Sequence, residues 1–406
     1  MPRVPNQKYP LDGVFGLIKP SGPPSMVLLD RMKPLLWESP LFVTREEDRR
    51  KNQDMRLRST NKSKKRHKQY GSVKVGQGGT LDPLADGVLV VGINKGTKSL
   101  SQFLNCAKEY YATAILGCET DTYDSEGAVV RRAPFAHVTP EKLSAALGAF
   151  RGSISQLPPI YSALKMDGKP LYEYARSGTP LPRPIEARQA TIHDIELVGW
   201  QDAADGMSPG RAYSWPTKHI TEAQRASFES IQKLILAASS ISAATSPSPS
   251  EPVLPGATII DSAEEELGKS STSKAPVFTL RMRVSSGTYV RSIVHDLAHS
   301  VGSAAHIVRL TRTRQGDFAV GTNYFKIPGP LHNAKLQENT AAEAVEAEPN
   351  PLTTAYGNCI PWDFFEKALG IQEKAGAPEL GVQKNEDASM KEWEIEVLNR
   401  LFPVSG

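Results

Sequence analysis

The chain has 406 residues, enough for two or three average domains, and a formal net charge of only +4. Its 39% hydrophobic content supports a sizeable core, while 31 prolines suggest that part of the chain stays outside one. Three scattered cysteines, Cys106, Cys118 and Cys359, argue against a disulfide framework or a zinc site and for a reducing compartment, and no apolar run approaches the ~20 residues needed to cross a bilayer, so no membrane association is expected.

In chain order, Met1–Pro10 is proline-rich and reads as a frayed start without a signal peptide. Gly13–Lys19 reads as a strand that runs into a forced turn at Pro20, Gly22, Pro23 and Pro24. Val27–Trp37 reads as a helix bent at Pro34. Residues 45–70 form a charged, mostly basic insertion with little apolar content. Lysine and arginine there suit backbone phosphates, and Lys64, Lys65, Arg66 and Lys68 resemble a nuclear-import cluster.

Gly76–Lys98, GQGGTLDPLADGVLVVGINKGTK, is the most informative stretch. A glycine-rich turn leads to a lone carboxylate, Asp82, followed by Pro83, and then to an apolar run, Val88–Ile93, that reads as a buried strand. A carboxylate on a rigid turn beside a buried strand has a fixed direction, as a nucleophile or an acid–base group requires. Thr97 is expected to cap a helix reaching about Ala107, with Leu100, Phe103 and Leu104 on its inner face.

Tyr110–Gly117 reads as a strand, with Tyr110 and Tyr111 on opposite faces. The acidic turn around Asp121, Asp124 and Glu126 lacks the spacing of a calcium loop. Thr139–Phe150 is a well-signalled helix with Thr139 as its cap. The next stretch interleaves Tyr161, Tyr172 and Tyr174 with Lys165, Lys169 and Arg176, which offers stacking faces and phosphate donors together. Ala190–Val198 alternates as a strand, and the pattern then dissolves from Trp200 to about Pro276. That segment reads as a largely disordered insertion with one helix near Thr221–Ala238. Val277–Val284 resumes the strand pattern, and Ser292–Val301 reads as a helix closed by Gly302. Beyond Lys326 the chain turns acidic. Tyr356–Ala368 is apolar enough to dock on the core, and Lys391–Leu401 reads as a short amphipathic helix.

Five segments, in order, resemble the motifs of the TruB family of RNA pseudouridine synthases. They are Lys19-Pro20 with Gly22, GGTLDPLADGVL with KGTK, Lys108-Glu109-Tyr110 with Thr120-Asp121-Thr122, Tyr161–Gly178, and Gly287-Thr288-Tyr289-Val290-Arg291 before a helix. The chain departs from the pattern at Pro23–Met26, and at Gln77, where the family commonly has a histidine. The resemblance implies an α+β pseudouridine synthase fold: a mixed, mostly antiparallel sheet flanked by helices, with a central RNA-binding cleft. It implies a catalytic domain over 11–326, interrupted at 45–70 and 200–276, and a partly disordered extension over 327–406.

It also implies roles. Asp82 is the nucleophile, Arg291 pairs with it, and Tyr110 stacks on the flipped base and is a candidate base. Tyr289 and Leu310 line the base pocket; Gln77 is a substrate-binding position where the family's histidine helps flipping, so an altered rate or substrate preference is expected; and Lys19, in the first motif, is expected to contact substrate. Tyr161, Lys165, Tyr172 and Arg176 belong to a loop that pinches an RNA stem-loop. The implied reaction is uridine to pseudouridine in RNA without metal or organic cofactor. For a stand-alone, eukaryotic, fungal-type member the substrate is uridine 55 in the T stem-loop of tRNA, with messenger-RNA stem-loops as further targets. A monomer without guide RNA is expected, in the nucleus and secondarily in the mitochondrion. A non-catalytic tRNA chaperone is the alternative, and it would not need Asp82 with Arg291.

Overall fold

The computed structural model describes residues 9–43, 73–177, 179–202, 213–219, 275–328, 331, 356–375 and 390–404. The basic insertion 45–70 and the helix expected near 221–238 lie outside them. In chain order, β1 (Gly13–Lys19) leads to α1 (Ser25–Glu38), β2 (Val75–Gln77), β3 (Asp86–Ile93), a 3-10 segment (Asn94–Ser99) and α2 (Leu100–Asn105). Then come β4 (Lys108–Leu116), β5 (Cys118–Thr120), β6 (Val129–Arg132), α3 (Pro140–Ala146), β7 (Gly152–Gln156), β8 (Lys165–Met166), β9 (Lys169–Pro170) and α4 (Leu171–Ser177). β10 (Arg188–Gln201), β11 (Val277–Val284), α5 (Val290–Ser300), β12 (Ala305–Gln315) and β13 (Phe318–Ala319) follow. Last are β14 (Cys359–Pro361), α6 (Trp362–Ala375), α7 (Glu392–Arg400) and β15 (Phe402–Pro403). The fold class is α+β, as the motifs imply.

The chain forms two compact units. The first comprises Met1–Lys108, Thr311–Phe325 and Glu338–Gly406, and the second Glu109–Leu310 and Lys326–Gln337. The expected 11–326 domain is therefore shared between them, and the expected extension is split.

In the first unit the strand order is β14–β1–β3–β12, with β2 on β3, β13 on β12 and β15 on β1. All seven residues of β1 are buried, because β1 has neighbours on both edges. β3 pairs antiparallel along its whole length, and β14 pairs parallel through Gly16–Ile18. Phe15, Phe42, Trp362, Phe365 and Trp393 stack beside it, with ring centroids 5.8–6.3 Å apart. Truncating one such buried ring costs about 3–5 kcal/mol, so α6 and α7 are built into this core as the apolar Tyr356–Ala368 stretch suggests. The helix after β3 departs from expectation. Thr97 lies inside the 3-10 segment, where its hydroxyl donates to the Asn94 carbonyl, and it caps nothing. Leu100 and Phe103 face inward, but Leu104 is 49% exposed because the helix is shorter and begins later than expected.

In the second unit the order is β4–β11–β10–β7. β10 and β11 pair antiparallel from Gln201↔Val277 to Ile192↔Val284, and the Thr113 and Thr279 hydroxyls meet at 3.1 Å across β4 and β11. Part of the supposed low-complexity excursion is core. Trp200 and Gln201 extend β10, and Trp215 packs with Ile115, Cys118, Val129 and Val277. The Trp215 indole N–H donates to the Leu116 carbonyl at 2.9 Å, which satisfies its one polar group.

Gly87 fixes how β3 meets β12. Thr311↔Asp86 and Arg312↔Gly87 pair in parallel. At Gly87 φ is +99°, and a Cβ would lie 2.2 Å from the Arg312 carbonyl oxygen. Gly87→Ala combines a disfavoured backbone conformation, itself about 1–3 kcal/mol, with a backbone clash. Urea unfolding should show a loss at or above that range; an unchanged midpoint would contradict this packing.

Candidate active site

Between β2 and β3 the chain turns back through residues 78–85, and Asp82 sits half-buried at that turn. The turn itself is short: Ala85 N–H donates to the Asp82 carbonyl at 3.1 Å. Almost every other carbonyl in the loop has a donor from a neighbouring element. Gln315 Nε2 donates to Gly78 O, and Arg312 Nη2 to Gly79 O at 3.1 Å. Ser25 Oγ donates to Leu81 O at 3.0 Å and accepts from Leu81 N–H at 3.2 Å. Ser21 Oγ donates to Leu84 O at 2.7 Å, and Gly22 N–H to Pro83 O at 2.8 Å. Arg312 also donates through Nε to Val88 O at 2.7 Å, so one buried guanidinium ties the loop to the strand that follows.

Lys19 completes the clamp. It is fully buried at the end of β1, and its ammonium donates to Pro20 O at 2.9 Å, Pro83 O at 3.0 Å and Ala85 O at 2.7 Å. An ammonium has three N–H bonds, and all three are used. Lys19 therefore holds the 78–85 loop from the end of β1. Burial lowers its pKa from 10.5 to about 8; the Asp86 and Asp82 charges oppose the fall and Arg312 adds to it. Gln77, half-buried in β2, donates through Nε2 to Thr80 Oγ1 at 3.1 Å.

The remaining expected site residues belong to the second unit. Arg291 opens α5 and is 5% exposed. Its Nη1 donates to Thr122 O at 2.7 Å, its Nη2 to Tyr161 O at 3.0 Å, and the Asp124 carboxylate lies 3.9 Å away. Tyr289, just before the helix, has its backbone held on both sides by Gln156: N–H to Oε1 at 2.8 Å and Nε2 to the carbonyl at 2.9 Å. Tyr110 is buried on β4, and Leu310 is buried on β12. Burial, with Asp121 beside it, pushes the Tyr161 phenol up to about 12. Around the β8–β9 hairpin, Lys169 Nζ lies 4.5 Å from the Tyr174 ring centroid, and the Arg176 guanidinium 5.2 Å from that of Tyr172. Lys165 and Arg176 are exposed, while Tyr161 and Tyr172 are half-buried.

A sequence profile described as TruB family pseudouridylate synthase (N terminal domain) matches residues 65–208. The chain is 36% identical over 337 residues to tRNA pseudouridine synthase 4 of Schizosaccharomyces pombe, covering 76% of this chain and 79% of that one. It is 34% identical over 334 residues to tRNA pseudouridine synthase 4 of Saccharomyces cerevisiae, covering 77% and 79%. It is 35% identical over 319 residues to tRNA pseudouridine synthase B of Aromatoleum aromaticum, covering 76% and 74%. The chain belongs to the TruB family.

In this TruB family member the residues that aim Asp82 were harder to read than Asp82 itself. Ser25 and Gln315 are 57 and 233 positions away from it, and no local pattern marks them. Asp124 reads only as part of an acidic turn, and nothing in the sequence marks Gln156.

Lys19 yields a prediction with two opposite signs. Above about pH 8 the folded protein loses the Lys19 proton, one N–H and the charge. Pseudouridine formation at saturating RNA should therefore fall with an apparent pKa near 8, and Lys19→Met should be slow throughout and lack that limb. Stability should move the other way for this group. Between about 8 and 10.5 the unfolded chain binds more protons than the fold, so the Lys19 contribution to unfolding free energy rises with pH. A rate profile of Lys19→Met that still bends near pH 8 would reject the assignment.

Proposed function

We propose that this TruB family member isomerises uridine 55 in the T stem-loop of tRNA to pseudouridine, with Asp82 as nucleophile. Relatives similar to the chain by sequence are named tRNA pseudouridine synthases. The observation that carries the assignment of Asp82 is the loop around it: its carbonyls are occupied by Lys19, Arg312, Gln315, Ser25 and Ser21. A carboxylate on so constrained a backbone has one direction of approach, which is the condition for covalent catalysis without large reorganisation.

The net reaction breaks the bond from ribose C1′ to uracil N1, forms one from C1′ to C5, and moves the C5 proton to N1. Substrate and product are isomers, so the balance needs no oxidant or reductant. The target base has to leave its stack first, at a cost of a few kcal/mol. Tyr110, Tyr289 and Leu310 are proposed to receive it, with Gln77 assisting in place of the more usual histidine. Arg291, with its charge and planar fork, is proposed to pair with Asp82 and aim it. Tyr161, Lys165, Tyr172 and Arg176 are proposed to grip the stem-loop. The exposed Arg176 guanidinium over a half-buried ring suits a phosphate contact. Stem-loops of similar shape in messenger RNA are proposed as further substrates. We propose that the enzyme acts as a monomer without guide RNA and works in the nucleus.

The test is a transcript tRNA assay for pseudouridine with purified full-length protein. Wild type should convert the T-arm uridine unaided. Asp82→Asn should lose about 10⁴-fold or more in single-turnover rate, and Arg291→Met about 10²–10³-fold, both with RNA affinity nearly unchanged. Wild type that binds tRNA but forms no product would favour the chaperone reading instead.

A further inference from the structure

Outside the proposed site, the second unit holds a buried charge cluster that the reaction does not use directly. Glu119 on β5, 2% exposed, receives His295 Nε2 at 3.0 Å on one oxygen. On the other it receives His299 Nε2 at 2.8 Å and Arg131 Nε at 3.1 Å. His295 and His299 are one helical turn apart on α5, with ring centroids 4.2 Å apart, and His295 Nδ1 meets Asp296 at 2.9 Å. The ligand atoms of Glu119, His295 and His299 lie within 4.8 Å of one another, a set that could hold a metal and that sequence spacing did not suggest. Arg131 argues against a metal there. Its guanidinium shares the Glu119 oxygen and lies 2.8 Å from His299 Nε2, so a divalent cation would face a fixed positive charge at contact distance.

The cluster reads instead as a buried ion pair. Burial by itself would lower His295, but the Glu119 charge and the hydrogen bonds that His295 donates to Asp296 and Glu119 raise it to about 10, so it is charged. Burial, together with His295 and Arg131, lowers His299, which stays neutral. Burial would raise Glu119, yet the two histidines hold it well below the usual carboxylate range.

What the pair supports is the loop that holds Arg291. The Tyr123 ring stacks on His295, with centroids 4.0 Å apart and planes 27° apart. Tyr123 has φ +62°, a conformation that a residue with a side chain keeps only where its surroundings enforce it. Its two sequence neighbours are the groups that engage Arg291: the Thr122 carbonyl at 2.7 Å and the Asp124 carboxylate at 3.9 Å. Thr122 Oγ1 and Glu126 N–H both donate to Asp124 Oδ1, at 2.6 and 3.1 Å, which ties the residues on either side of Tyr123 together.

We infer that His295, pinned by Glu119, is a positioning residue that acts through the Tyr123 ring to fix the 122–124 loop and thereby Arg291. The inference rests on the catalytic role proposed for Arg291. A misplacement of about 1 Å at a reacting group can cost roughly 100-fold in rate. His295→Ala and Tyr123→Ala should therefore each lower the single-turnover rate by about that factor, with the RNA dissociation constant within about twofold of wild type. The double variant should be no slower than either single one, because both break the same chain of contacts. Tyr123→Phe keeps the stack and should keep the rate, and added imidazole should restore part of the His295→Ala rate. Tyr123→Ala with Tyr123→Phe preserves the test if His295→Ala does not fold. Wild-type rates in Tyr123→Ala, additive losses in the double variant, or a stoichiometric metal in the purified full-length protein that His295→Ala lacks would each overturn the inference. A wild-type rate in Arg291→Met would instead overturn the catalytic reading beneath it.

Discussion

The structure depends on how one short loop disposes of its backbone carbonyls. Residues 78–85 connect two paired strands and carry Asp82, yet they form no regular structure that would satisfy their own polar groups. A buried carbonyl without a donor costs about 1–3 kcal/mol, so the carbonyls of the buried residues Gly78, Leu81 and Ala85 would weigh heavily on the loop by themselves. The chain solves this with donors from three directions: Lys19 at the end of β1 and Ser21 just after it, Ser25 at the start of α1, and Arg312 and Gln315 from β12. Two of these donors are cations buried in the core of the first unit. Asp82 and Asp86 lie close enough for their charges to oppose the fall in the Lys19 pKa. The anchoring of the loop and the electrostatics of the site are one arrangement.

The second unit uses the same device for its own key cation. Arg291 is held by two backbone carbonyls and by Asp124. Gln156 clamps the adjacent Tyr289 backbone through both of its amide atoms. Behind that layer, Glu119, His295, His299 and Arg131 form a buried network in which every charge has an opposite neighbour. Charges taken out of water are tolerable only when paired in this way, and removing one partner is far more damaging than replacing the whole set.

Much of this was legible in the sequence. β1, β3, β4 and α5 show through apolar runs, β-branched content and a closing glycine, because their burial is decided by local pattern. Asp82 showed because a rigid turn and an acid are adjacent in the chain. What the sequence concealed is long-range pairing. Lys19 reads as the end of a strand within the first motif, and only its burial at that end of β1 turns it into a clamp. Leu104 reads as inward because the helix phase was counted from Thr97, whereas the helix begins at Leu100. Trp215 is hidden by the serine- and proline-rich residues around it, although one buried indole is enough to anchor its segment. His295 and His299 are spaced for one helix face, but their shared carboxylate comes from β5, 176 and 180 positions earlier.

The most direct test of the central claim, a backbone fixed before RNA arrives, is site-resolved amide hydrogen exchange on the RNA-free enzyme. The N–H groups of Gly78, Ala85 and Gly22, which bond to Val90, Asp82 and Pro83, report on the loop and its anchor. The account predicts that they exchange as slowly as the amides of β3, and that Lys19→Met releases Gly22 and Ala85 while leaving β3 protected. Exchange of all three at the rate of an open loop in the wild-type enzyme would contradict it.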